Sequence, residues 1–529
     1  MGPVARRQLA GALATISALI ATAAAPVAGA AEPPAAAPPA ASTPAAAVAA
    51  AAPVVTRHSG VFGGRRITYD AIVEETLLRN AKGVPAASLS SFTYLERGAK
   101  PNPSKPVLFA FNGGPGSASI WLHLGFLGPR RVDFPDAVNP PTAAPFALAD
   151  NVHSLLDVAD LVFIDPVGTG FSRLLPGGQP QEFFGVTQDA NAVADFIRQW
   201  LTLHGRWNSP KFLAGESYGT IRAIALAGAL SGGVFPPNGS LGAINLNGIV
   251  ILGPAFGAGG ARLEGNDRGS ISDLPTMAAT AWYHGRLGAK DQPVEAVIDA
   301  ARAFANDEYL KALNAGYLLD PAERQRVAEK LGSLTGLPAS AWLDANLRLG
   351  MSTFQTLLLR EQGKQVGAYD SRYLLPAKAT GNDPVIDDPA MGQYTPGFVA
   401  AFNHYLSSEL KVAYSDRYVP IAWTDVNFKW DYGSGPGVSL PRNDATTLAT
   451  AMRRNPELRV FVGVGYYDLV TTLGAAEHAL AHSAIARERL SLKGYASGHM
   501  PYLGEDTATA LAADLRAFVQ SAVRPAAAK

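Results

Sequence analysis

Apolar and polar positions change rhythm several times along this chain. Between residues 57 and 97 short runs alternate, as in Arg65-Arg66-Ile67-Thr68-Tyr69 and Ser91-Phe92-Thr93-Tyr94, which is the period of antiparallel leading strands. Solid apolar runs then take over at 106–111, 160–164, 211–214, 247–253 and 459–465, and 490–495 reads as a further strand. Between them lie stretches of helical spacing, including 187–203, 220–230 and 508–520. Strands buried on both faces and alternating with helices predict a mostly parallel, doubly wound α/β sheet. Residues 262–412 differ. Val294, Val297, Ile298, Ala301 and Phe304 fall on one helical face, similar spacing continues from Tyr309 to Leu331, and no clear strand interrupts it. Trp282 and Tyr283 in this block read as core residues.

The N-terminus follows another logic. A short basic start containing Arg6 and Arg7 leads into an apolar run over 9–25 and then Ala28-Gly29-Ala30, an A-x-A-like cleavage site. Residues 1–30 are therefore expected to be a secretory signal peptide, with a retained membrane anchor as the alternative. The arginine pair lacks the surroundings of a twin-arginine signal, so the export route stays open. Residues 31–56 are almost wholly Ala and Pro, which buries no core and reads as a tether. The expected folded part is a core of 57–261 and 413–525, with 262–412 inserted as a helical cap.

Composition narrows the chemistry. Lys+Arg and Asp+Glu both number 44, so the balance of charge gives no reason to expect nucleic acid or an anionic membrane as partner. The absence of cysteine excludes disulfides, a thiol nucleophile and Cys-ligated metal. No metal-ligand spacing occurs. The run Gly113-Gly114-Pro115-Gly116 lacks the Gly-Lys-Ser/Thr ending of a phosphate loop, so neither metal nor cofactor is expected.

The chemistry-bearing motif is Gly215-Glu216-Ser217-Tyr218-Gly219, set between an apolar run and a helical one. This is a G-x-S-x-G nucleophile elbow in its strand–turn–helix context. Asp468 follows the run 459–465, and His499 follows the run 490–495. A serine hydroxyl needs an imidazole base, and the base needs a carboxylate to fix its tautomer. The order Ser217, Asp468, His499 is that of the α/β-hydrolase fold. A Gly-rich loop after an early strand, here Asn112-Gly113-Gly114-Pro115-Gly116-Ser117, supplies oxyanion-hole N–H groups in such enzymes.

Four motifs in order, Phe111-Asn112-Gly113-Gly114-Pro115-Gly116-Ser117, Asp165-Pro166-Val167-Gly168-Thr169-Gly170-Phe171-Ser172, the Ser217 elbow and Gly498-His499-Met500, closely resemble the serine carboxypeptidase family. The tether and the missing cysteines look most like bacterial secreted members. The resemblance implies Ser217 as nucleophile, His499 as base and Asp468 as its orienter, with the N–H groups of Gly114 and Tyr218 forming the oxyanion hole. It implies substrate contacts from Asn112, Gly113, Glu216 and Met500. Asn112 and Glu216 would recognise a peptide's free C-terminal carboxylate by sharing one proton with it. Peptide or protein C-termini are the implied substrates. The chain departs from the family at Ala110, where a tryptophan is usual, and at Phe126, where many members have a second Glu. It departs again at Ser117, where cysteine is common, and at Pro501, which follows Met500 directly. Arg130, Arg131 and Arg222 offer a bidentate alternative for the carboxylate. Fold and triad do not fix the acyl group, so an esterase or acyltransferase remains the alternative reading, and an inactive binding protein a remote one.

Overall fold

The structure is a computed structural model, and it describes residues 49–98, 102–232, 242–256, 267–288, 291–377, 383–433 and 442–523. The expected signal peptide, most of the tether and the boundary at Arg262 lie outside the described residues. No helix among the described residues is long and apolar enough to cross a membrane.

The central sheet runs through β1 (Val54–Phe62), β2 (Arg65–Arg79), β3 (Pro85–Glu96), β4 (Val107–Phe111), β5 (Asp160–Ile164), β6 (Lys211–Glu216), β7 (Gly248–Leu252), β8 (Arg459–Gly465) and β9 (Leu490–Tyr495). Their spatial order is β1-β2-β3-β5-β4-β6-β7-β8-β9. The first three are antiparallel to their neighbours, and β5 onward along that order are parallel. Every residue of β4, β5 and β7 is buried, because helices cover both faces and leave no wet side for polar alternation. Helices Val186–Leu203 and Tyr218–Ser231 pack on one face, and Glu505–Val523 on the other. This is the α/β-hydrolase architecture.

Register decides where the site lies. Phe111 pairs with Gly215, Leu252 with both Glu216 and Gly463, and Gly465 with Tyr495. The residues that follow these positions therefore leave the sheet at one edge, beyond the carboxyl ends of the strands. Chain order reverses at β4, which has β5 on one side and β6 on the other, and open α/β sheets bind ligands at such a switch point.

Between residues 268 and 408 the chain is mainly helical, with a core of its own built on Leu274, Met277, Phe304, Tyr309, Leu331 and Trp342. Three details differ from the sequence reading. Lys364–Val366 pairs with Leu374–Pro376 as a two-stranded ribbon, and strands of three residues are too short to show a period of two. The helix Pro389–Ser408 packs its Tyr394, Phe398, Phe402 and Tyr405 into the cluster of the sheet itself, not into the core of the preceding helices. Tyr283 is 41% exposed, so it is not a core residue.

Candidate active site

Ser217 sits at the tip of the turn between β6 and the helix Tyr218–Ser231, with φ 59° and ψ −128°. A non-glycine residue there stores on the order of 1–3 kcal/mol of backbone strain, which the surroundings must hold in place. Crowding holds it. A Cβ on Gly215 would stand 2.1 Å from the Gly219 carbonyl oxygen, and one on Gly113 would stand 2.4 Å from the Tyr218 nitrogen. Only glycines let the 112–117 loop and the elbow press backbone to backbone. Gly114 has φ 100°, another position that favours glycine. That contact sets the Gly114 loop against the Tyr218 amide.

A second segment grips the loop from outside. Ala118 N donates to Pro420 O at 2.9 Å, Ala422 N to Gly116 O at 2.7 Å, and Asn427 Nδ2 to Pro115 O at 3.0 Å. Beneath it, Asp165 Oδ1 accepts from Ser119 N at 2.8 Å and from the Tyr418 hydroxyl at 3.2 Å. Burial pushes the Asp165 carboxyl up to about 7, against the pull of these two hydrogen bonds. The Asp165 motif is plain in the sequence; its link to Tyr418 is not.

Asp468 and His499 are brought together at the same edge. His499 Nδ1 lies 2.7 Å from Asp468 Oδ2, and both side chains are buried. Asp468 also accepts from Thr471 Oγ1 at 2.5 Å, Val470 N at 2.8 Å and Thr471 N at 3.0 Å, so its orientation is fixed on both oxygens. Burial alone would push the His499 imidazole down; Asp468, with Glu216 and Asp388 behind it, outweighs that and holds it above its ordinary value. His499 Nε2 is buried and makes no hydrogen bond among the described residues. It lines one cleft of about 530 Å³ together with Ser217, Asn112, Gly113, Gly114, Glu216 and Met500. Before substrate closes a site, such hydrogen bonds are often long or unformed.

Glu216 is 3% exposed and accepts from Asn112 Nδ2 at 2.8 Å through Oε1, while Oε2 has no partner among the described residues. Burial pushes its carboxyl up to about 7, opposed by His499, the Tyr502 hydroxyl and Asn112 and reinforced by Asp468. The Tyr502 hydroxyl is within electrostatic reach of Glu216 but outside hydrogen-bond geometry. Apolar walls come from Trp121, Met391, Tyr394, Ile421 and Trp423, which the motifs did not point to. Phe126, in place of a second Glu, is fully buried and stacks on Tyr502 with centroids 5.3 Å apart. Ser117 accepts from Trp121 Nε1 at 2.8 Å.

The three arginines are elsewhere. Arg130 pairs with Asp150 and Glu409, and Arg131 with Glu505. Arg222 is fully buried, bonded to Asp189 at 2.6 Å and to Asn112 O at 2.5 Å. None lines the cleft, so the bidentate alternative is withdrawn. Among the described residues no group of three or more His, Cys, Asp or Glu is placed to hold a metal ion.

Comparison with known proteins agrees with this geometry. Residues 86–259 match the serine carboxypeptidase family model. A carboxypeptidase Y homolog of Arthroderma benhamiae is 26% identical over 46% of this chain and 42% of its own length. Serine carboxypeptidase-like 11 of Arabidopsis thaliana is 29% identical over 31% of this chain and 36% of its own. The matched segment thus spans less than half the length of these curated relatives. The crystal structure of Kex1(Δ)p, a prohormone-processing carboxypeptidase from Saccharomyces cerevisiae, superposes with a TM-score of 0.53 at 14% identity, covering 85% of this chain and 92% of that one. Motifs, family match and fold converge: residues 86–259 are similar to the serine carboxypeptidase family, in a chain built on the α/β-hydrolase fold.

Proposed function

We propose that this protein is an exported serine carboxypeptidase that removes C-terminal residues from peptides through an acyl-enzyme. His499 Nε2 takes the Ser217 proton as Oγ attacks the scissile carbonyl, and later returns it to the leaving amine. Asp468 holds Nδ1–H and stabilises the imidazolium. The N–H groups of Gly114 and Tyr218 receive the oxyanion. Residues 262–412 act as a cap that supplies apolar walls to the cleft.

Glu216 carries the reading. It is a buried carboxyl whose Oε2 has no partner among the described residues, held neutral up to about pH 7, in the cleft that holds Ser217 and His499. A neutral carboxyl donates its proton to a substrate carboxylate; an ionised one repels it. Peptide kcat/KM should therefore fall as pH rises through the Glu216 pKa, and fall as pH drops and protonates His499. The two groups act on each other, so the bell reports the pair. The test sets a blocked dipeptide with a free C-terminus against its amide and a simple ester. Fast cleavage of the free acid with slow cleavage of the amide supports a carboxypeptidase. Ester cleavage alone would mean an esterase. Sequencing the exported protein should find its N-terminus near Ala31.

A further inference from the structure

We infer that the inserted segment 368–372 is a positioning element for the acid and base, and that the Asp370–Arg372 pair fastens it to the loop carrying His499. The inference rests on the roles of Asp468 and His499 proposed above. Within five residues the segment bonds to both loops: Leu469 N donates to Ala368 O at 2.9 Å, Ser371 N to Tyr467 O at 2.9 Å, and His499 N to Tyr369 O at 2.6 Å. These contacts bracket Asp468 on both sides and seize His499 itself. The Tyr369 ring stands edge-on to the imidazole, with centroids 5.2 Å apart and planes at 83°.

The fastening is specific. Arg372 Nη2 donates to Asp370 Oδ2 at 2.6 Å and to Ser497 Oγ at 3.1 Å, and Nη1 donates to Ala496 O at 3.0 Å. Its guanidinium also lies over the Tyr467 ring, 5.5 Å from the centroid. Gly498 packs so closely that a Cβ there would stand 2.4 Å from Asp370 Cβ. A buried ion pair gains little stability over apolar residues of the same volume. This one spends its remaining donors on the two residues that lead into Gly498-His499.

On its far side the segment is tied to the inserted helices. Asp388, the N-cap of Pro389–Ser408, accepts from Ala368 N at 2.6 Å. Thr280 Oγ1, on Arg268–Tyr283, bonds to Ser371 Oγ at 2.7 Å, and His284 Nε2 to Ser371 O at 2.6 Å. The position of the insertion is thereby written onto the Asp468–His499 contact. Deleting it would remove the brace as well as the walls.

The experiment compares Arg372→Met, which keeps the stem and removes the donors, with Arg372→Lys and wild type. Steady-state kinetics on the free-acid peptide and the ester would be run beside the rate of fluorophosphonate labelling of Ser217. In Arg372→Met, kcat should fall roughly 10- to 100-fold on both substrates with KM changed less than about threefold, since a small misplacement of a catalytic group has that cost. Labelling should slow in parallel. The acid limb of the ester profile should move to lower pH as the Asp468 contact loosens, with Glu216 and Asp388 the other charges facing His499. Arg372→Lys should recover part of the loss. Wild-type kcat, labelling rate and acid limb in folded Arg372→Met would overturn the inference, and so would a rise in KM alone. If Arg372→Met does not fold, the same readouts on Arg372→Lys decide. His499→Ala is run alongside: full activity in that variant would strike down the base assignment itself, a different failure.

Discussion

Around Ser217 two neighbouring turns of the chain crowd each other backbone to backbone, whereas around Asp468 and His499 the crowding at Gly465 and Gly498 is joined by hydrogen bonds from a segment about a hundred residues away in sequence. In the first region backbone meets backbone at distances that leave no room for a Cβ on Gly113, Gly215 or Gly219. In the second, the carbonyls of Ala368 and Tyr369 and the side chain of Arg372 set the loops. The difference teaches which contacts a sequence can show. Crowding dictates glycine, and the family match over 86–259 takes in the crowded loop and elbow and ends before Asp468 and His499. Backbone hydrogen bonds are blind to side chains, so the grip of 368–372 leaves no such demand on its own residues.

The largest effect should come from breaking the crowded half at its tip. Ser217→Ala removes one hydroxyl from a turn that stays intact, so folding is unchanged while kcat falls on the order of 10⁵-fold, as triad members act as a unit. Fluorophosphonate labelling should vanish with it, and labelling of another serine would dismiss Ser217.

The corresponding cut in the other half is Asp468→Asn. The shape is kept, but the amide no longer fixes the imidazole tautomer, and kcat should drop on the order of 10⁴-fold on ester and peptide alike. A loss confined to peptide would place Asp468 in substrate recognition instead.

Gly215→Ala sharpens the comparison by attacking the crowding directly. Its Cβ would lie 2.1 Å from the Gly219 oxygen, so the turn must open. We expect a stability loss of about 1–3 kcal/mol from overpacking and roughly 10²-fold in kcat from the displaced nucleophile. Thermal melting and kcat measured together check this; a variant indistinguishable from wild type would show that crowding does not hold the elbow.

Glu216→Gln should have the smallest effect, and one that depends on pH. The wild-type carboxyl is neutral below about 7 and ionises above it, so the peptide profile declines on the alkaline side. Gln stays neutral, so that decline should shift upward or disappear, while acidic-side kcat/KM stays within about tenfold for a retained neutral hydrogen bond. Ester profiles should barely move. Equal effects on both substrates at every pH would reduce Glu216 to a brace of the elbow.

Much of this was legible. The runs at 160–164, 459–465 and 490–495 coincide with β5, β8 and β9. Buried parallel strands such as β5 and β8 must be continuously apolar, and that pattern has few rivals; β9, partly exposed at the sheet's edge, carries Ser491 and Lys493. Residues Ser217, Asp468 and His499 stood out because each follows a strand run. The ribbon Lys364–Val366 with Leu374–Pro376 was not legible, being too short for a period, nor was the attachment of Pro389–Ser408 to the sheet's own core. The arginines misled for another reason. A guanidinium matches any carboxylate, and only the packing shows that Arg222 is buried on Asp189 and Asn112 O, away from the cleft.

By itself the sequence determined the strands, the elbow, the glycine loop and the order of the three candidate catalytic residues, because each is a local demand on residue type: apolar where buried on both faces, glycine where φ is positive or backbones touch. The tertiary structure alone decided the Glu216 environment, the walls from Met391, Tyr394 and Trp423, and the grip of 368–372 on both loops. Those depend on which distant surfaces meet, and a raised carboxyl or a carbonyl accepting from His499 N arises from position, which no single residue encodes.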